Sequence, residues 1–130
     1  MMVLIDTTVW IDFFRGNDAT QVRILEDLIS EEADICTCGI IMMEVLQGIR
    51  SDTDYKTTRS HFNTLLYLPA DRNTFISGAL IYRTLRQKGI TIRKPVDCLI
   101  ASIALENDVP LLHNDRDFDQ ITEYVGLKTL

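Results

Sequence analysis

Short apolar runs alternate along the chain with longer stretches of helical period. Val3-Leu4-Ile5 is an uninterrupted apolar triplet that predicts a buried strand, and it runs straight into Asp6 and the helix that follows. Residues from about 20 to 32 carry Val22, Leu25, Leu28 and Ile29 at helical spacing, with charges between them. Ile35-Cys36-Thr37 suits a second strand. From 40 to 49 the pattern predicts an apolar helix with Met42, Val45, Leu46 and Ile49 on one face and Glu44 beside it. Residues 52–65 look helical but polar, and Leu66-Tyr67-Leu68 before Pro69 reads as a short edge strand. Asp71 is placed to cap a long helix through Phe75, Ala79, Tyr82 and Leu85 that ends at Gly89. Asp97 opens the most apolar helix, 98–105; a buried strand is expected at 109–113, a short helix from Asp115, and a terminal strand at 127–130.

Strands separated by helices imply right-handed crossovers and a parallel sheet. The expected class is α/β: a three-layer α/β/α arrangement with a central parallel sheet of four to five short strands flanked by helices. No repeat, low-complexity segment or linker divides the 130 residues, so a single domain spanning 1–130 is expected.

Composition adds exclusions. A hydrophobic fraction of 46% and a charged fraction of 25% are those of an ordinary globular protein, against disordered or fibrous classes. Apolar runs are broken by Asp6, Glu44 or Glu106 before they reach transmembrane length, and the N-terminus lacks a signal-peptide pattern. A cytoplasmic protein with no membrane association is expected. Cys36, Cys38 and Cys98 are too few and scattered for a disulfide framework or a zinc set, and read as buried thiols. The net charge of −6 argues against broad attraction to nucleic acid, yet allows a nucleic-acid enzyme whose acids are gathered around metal.

Where the acids fall is therefore the question. Ligands of open parallel sheets bind at the carboxyl ends of the strands. Asp6 directly follows the first strand, and Asp115 follows the late strand after His113-Asn114. Asp97 heads an apolar helix, and Glu44 sits in another. Each of Asp6, Asp97 and Asp115 is equally readable as a helix N-cap, worth about 1 kcal/mol. If the four converge, two carboxylates about 4 Å apart repel by roughly 4 kcal/mol at an effective dielectric near 20. Such a cluster must take up protons or bind a cation, and oxygen ligands favour Mg²⁺ or Mn²⁺.

Four stretches carry a resemblance: VLIDTTVWIDFFRG, IIMMEVLQGIR, GITIRKPVDCLIASIAL and PLLHNDRDFD. In their order and flanks they resemble the PIN-domain ribonucleases, and within them the VapC toxins of bacterial toxin–antitoxin pairs. The resemblance implies that Asp6, Glu44, Asp97 and Asp115 are the catalytic, metal-binding acids. It makes Thr8 an auxiliary that supports the site, although Thr8 also suits a helix turn, and Asp117 an additional acid near the pocket. It implies endoribonucleolytic hydrolysis of RNA by metal-activated water, with Mg²⁺ as the cofactor and Mn²⁺ as its substitute. His113 stands where the family often has Thr, and Ser102 replaces an Ala; neither touches an inferred ligand.

Arg83, Arg86, Lys88, Arg93 and Lys94 gather in sequence before Asp97 and could guide an RNA backbone or simply sit solvated at a helix end. Arg15, Arg93 and Arg116 are the candidate RNA contacts. The expected partners are an RNA substrate, a VapB-type antitoxin and a second copy in a homodimer. Trp10, Phe13 and Phe14 serve the core or one of those interfaces. Two other readings compete. A catalytically silent PIN-like module would show neither tight Mn²⁺ uptake nor chelator-sensitive cleavage. A phosphoacceptor receiver domain should have paired acids after its first strand and a late lysine, where this chain has Asp6 alone and Asn114-Asp115-Arg116.

Overall fold

The computed structural model describes all residues, Met1–Leu130. Its elements are β1 (Met2–Ile5), α1 (Thr7–Phe14), α2 (Thr20–Ser30), β2 (Asp34–Thr37), α3 (Gly39–Gln47), α4 (Asp52–Phe62), β3 (Leu66–Tyr67), α5 (Arg72–Gln87), α6 (Pro95–Glu106), β4 (Leu111–Leu112) and α7 (Arg116–Val125). The four strands pair in parallel in the order β3-β2-β1-β4, with Leu4 opposite Cys36 on one side and Leu111 on the other. From β1 to β3 the chain steps one way across the sheet, then returns past β1 to form β4. With right-handed crossovers this reversal puts α1–α4 and α5–α6 on opposite faces, which gives the three layers. The reversal lies between β1 and β4, the point in an open α/β sheet where a crevice forms.

Val3, Leu4 and Ile5 are fully buried because β1 is covered on both faces. Burying each such side chain stabilises by about 1.5–3 kcal/mol, which fixes the strand that carries Asp6. The long α5 starts where expected: the Asp71 carboxylate accepts from the Thr74 N–H, and the Thr74 hydroxyl accepts from the Asp71 N–H. It packs tightly on α6 at Gly78, where an added Cβ would lie 3.3 Å from Leu99 Cα. The Ser102 hydroxyl donates to the Thr74 carbonyl across the same interface (2.9 Å).

Several boundaries differ from expectation. α6 begins at Pro95, so Lys94 is its N-cap and Asp97 lies in the first turn instead of capping it. β4 is two residues long, not five. Pro110 has no N–H to extend the ladder, although its carbonyl accepts from Leu4. The terminal segment makes one bridge, Leu111 to Thr129, where a strand was expected. On α3 the buried positions are Ile41 and Val45, with Met42 and Leu46 half-buried, so the inward face is centred about one residue earlier than the periodicity indicated. No helix is long and apolar enough to cross a membrane.

Candidate active site

Asp6 caps α1 and also lines a recess at the end of β1. Its Oδ2 accepts from the Thr8 N–H (3.1 Å) and the Thr8 hydroxyl (2.6 Å), which starts α1 at the end of β1. The Thr8 hydroxyl in turn accepts from the Asn114 N–H at 3.1 Å, and the Asn114 amide donates to Asp12. These bonds tie the loop after β4 to the first turn of α1, so the strand ends that bound the crevice are held together. Asp115 is likewise an N-cap, accepting from the Asp117 N–H at 3.0 Å, a turn that directs both carboxylates to one side of α7.

The acids divide between two adjoining recesses. Asp6, Glu44 and Asp97 line an inner one of about 160 Å³, and Asp115, Asp117, Arg93 and Arg116 line an outer one. Carboxylate oxygens of Asp97, Asp115 and Asp117 all lie within 4.8 Å of one another, so Asp97 belongs to both groups. Asp117, expected only as an additional acid, sits inside this triad. Arg93 reaches it from outside, 3.8 Å from Asp115 and 3.5 Å from Asp117. Arg15 lies on the far side of Glu44 in a separate depression. Arg83, Arg86 and Lys88 line neither acid recess; Arg86 stacks over Tyr82 and Lys88 over Tyr124.

Electrostatics mark Asp97. Burial pushes its carboxyl up to about 7, and the neighbouring Asp6, Asp115 and Asp117 add to the rise against an opposing pull from Lys94. Its Oδ2 is buried without a hydrogen-bond partner. Burial also raises Asp6, against the hydrogen bonds from Thr8 that lower it. A buried, partnerless carboxylate oxygen among like charges is poorly satisfied by the protein alone. An all-oxygen donor set of this kind fits a hard divalent cation, with Asp6, Glu44, Asp97, Asp115 and Asp117 available to hold it.

One contact at the acid recess escaped the sequence. Thr7 donates its hydroxyl to Glu44 Oε1 (2.8 Å) and so orients an acid 37 residues away. Lys94 lines both recesses. His113 is structural: its Nδ1 accepts from the Asp115 N–H and its ring packs on Phe118 at 5.0 Å. The cysteines offer no nucleophile, since burial pushes all three thiols up, Cys98 to about 11.

Trp10 is buried and packs edge-on against Phe62 at 5.1 Å, whereas Phe14 is 47% exposed. With Phe13, Ile29, Phe62 and Leu65 they line an apolar groove of about 380 Å³ between α1, α2 and α4. Trp10 Nε1 is buried without an acceptor.

Comparison with known proteins adds lineage to this geometry. Residues 3–124 match the PIN domain family. The VapC ribonuclease Mb1587 of Mycobacterium bovis is 37% identical over 129 residues, covering 98% of this chain and 96% of that protein. Ribonuclease VapC1 of Methanocaldococcus jannaschii is 29% identical over 127 residues, covering 97% and 85%. Among solved structures, a chain of VapBC2 from Rickettsia felis, bound to a promoter DNA fragment, superposes with a TM-score of 0.78 at 20% identity, over 100% of this chain and 98% of that one. The match in sequence runs from β1 into α7 through every segment that carries an acid, and this chain is accordingly a member of the PIN-domain family and, within it, of the VapC ribonucleases.

Proposed function

We propose that the chain, acting as one unit over its 130 residues, is a divalent-metal-dependent endoribonuclease toxin of the cytoplasm. The observation that carries this reading is the triad of Asp97, Asp115 and Asp117 within 4.8 Å, with a partnerless buried oxygen on Asp97 and with Asp6 and Glu44 lining the adjoining recess. Mg²⁺, or Mn²⁺ in its place, supplies positive charge at the attacked phosphodiester and makes water a stronger nucleophile near neutral pH. Asp6, Glu44, Asp97 and Asp115 are the principal ligands in this assignment, with Asp117 joining them.

The chain's own groups then do the positioning. Thr8 fixes Asp6, and Thr7 fixes Glu44, so neither carboxylate must be ordered when substrate arrives. Asp97, raised first by burial and then by its acidic neighbours, is the carboxylate whose ionised form a bound cation would favour most. Arg93, paired with Asp115 and Asp117 and 73% exposed at its side chain, is a candidate RNA contact at the rim of the outer recess. Arg116, in the outer recess, is a second contact, and Arg15 a more distant one.

A VapB-type antitoxin is the proposed inhibitor, and the aromatic groove with its unpaired Trp10 N–H is a surface suited to an apolar segment of such a partner. The exposed Phe75, Ile76 and Leu80 on α5 form a separate apolar face that supports homodimerisation.

Asp6→Asn is the direct test. Asparagine retains an oxygen to cap α1 but removes the charge, so far-UV circular dichroism should stay native while Mg²⁺-dependent cleavage of single-stranded RNA falls to background. Undiminished cleavage by this variant would remove the metal assignment.

A further inference from the structure

Resting on the ribonuclease reading, we propose that Lys94 is the substrate-binding cation that receives the RNA phosphodiester, at the seam between the inner and outer acid recesses. Only Thr8 and Lys94 line both recesses. The Thr8 hydroxyl is already committed, donating to Asp6 and accepting from the Asn114 N–H. The Lys94 ammonium is exposed and makes no ion pair or side-chain hydrogen bond.

The other cations are placed differently. Arg93 is engaged by Asp115 and Asp117, Arg116 lines only the outer recess, and Arg15 lies beyond Glu44. Lys94 is thus the cation that lines the recess of Asp6, Glu44 and Asp97.

Its backbone is also fixed. Lys94 caps α6, its carbonyl accepts from the Asp97 N–H at 2.9 Å, and Pro95 locks the next φ. The ammonium therefore hangs from a rigid point three residues before the most buried acid of the triad, and its charge is felt there, opposing the rise in the Asp97 carboxyl.

The chemistry requires such a group. A phosphodiester approaching five carboxylates on a chain of net charge −6 meets repulsion that metal in the recess offsets only in part. An unpaired ammonium at the entrance supplies a point charge for a non-bridging phosphate oxygen without competing for the carboxylates. Because it spans both recesses, the same group sets where along the strand the attacked phosphate comes to rest.

The experiment compares wild-type chain with Lys94→Ala and Lys94→Arg. Equilibrium binding of a fluorescent single-stranded RNA is measured in Ca²⁺ over a range of salt. Cleavage kinetics in Mn²⁺ and Mn²⁺ affinity by calorimetry accompany it. Lys94→Ala should weaken RNA binding about tenfold and lower the steepness of log K against log salt by about 0.7, the share of one phosphate on a single strand. KM should rise by a similar factor, Mn²⁺ affinity should hold or increase, and Lys94→Arg should recover most of the loss. Wild-type RNA affinity and salt dependence in Lys94→Ala would overturn the assignment while leaving the nuclease reading intact. So would a fall in Mn²⁺ affinity equal to the fall in RNA binding, which would make Lys94 a support of the metal site. A wild-type chain that neither binds nor cuts RNA with any divalent ion would overturn the ribonuclease reading, and this assignment with it.

Discussion

Asp97→Asn should stabilise the metal-free chain at alkaline pH even as it disables the site. The Asp97 carboxyl titrates at about 7 in the folded chain, against an ordinary value of 3.8. A folded state that holds the proton more tightly than the unfolded one is favoured at low pH. That advantage is complete below about pH 4 and is lost as pH rises through about 7. Each pH unit of difference is worth about 1.36 kcal/mol, so the loss has a ceiling near 4 kcal/mol, reduced where neighbouring carboxyls share the proton. For a domain of this length, a loss of about 2–4 kcal/mol lowers Tm by about 8–15 °C. The assay is urea unfolding in chelator at pH 5 and pH 8.5, for wild type and Asp97→Asn. Wild type should lose stability on going to pH 8.5, and the variant should lose much less, because its amide carries no charge at either pH. Adding Mn²⁺ at pH 8.5 should restore wild type and leave the variant unmoved. A wild-type chain as stable at pH 8.5 as at pH 5, or a variant with the same drop, would refute the view that burial, with the neighbouring acids, makes an ionised Asp97 costly in the metal-free chain.

Thr7→Val keeps the shape of the side chain but removes the donor to Glu44 Oε1. A hydrogen bond to a charged group contributes about 1.5–3 kcal/mol, so Mn²⁺ affinity by calorimetry should fall roughly tenfold or more, and Thr7→Ser should retain most of it. Asp71→Ala removes the α5 capping box far from the cleft. It should cost about 1 kcal/mol in urea unfolding with cleavage per folded molecule unchanged.

How far the sequence reveals this molecule depends on whether the controlling contacts are local. β1 was legible because Val3-Leu4-Ile5 is buried on both faces and needs no partner to be recognised. α5 was legible because its start and stop signals, Asp71 and Gly89, act within one turn. The start of α6 was misplaced because Asp97 looks like a cap, whereas Pro95 two residues earlier already satisfies the first turn. That shift has chemical weight, since a capping Asp97 would have its carboxylate engaged by backbone. β4 was overextended because apolar character does not report that Pro110 lacks an N–H. At the site, Asp6 and Asp115 were marked by their places after strands, and Glu44 and Asp97 by family resemblance. Asp117 was expected only near the pocket, and its convergence with Asp97 is tertiary, beyond the reach of local spacing. Thr7–Glu44 joins positions 37 residues apart, for which no spacing rule exists.

The pairing of β1 with β4 has a consequence in time. Leu4 is matched to Leu111, so the crevice between the two strands closes across almost the whole length of the chain. Pairings this remote form late, after the entropy of closing the intervening loop has been met. A nascent chain still on the ribosome, with β4 inside the exit tunnel, has Asp6 in place but neither Asp115 nor Asp117 to face it. The acid cluster therefore assembles only once β4 and the residues after it have emerged, and a message truncated before β4 yields a fragment that holds some of the acids and none of the cleft.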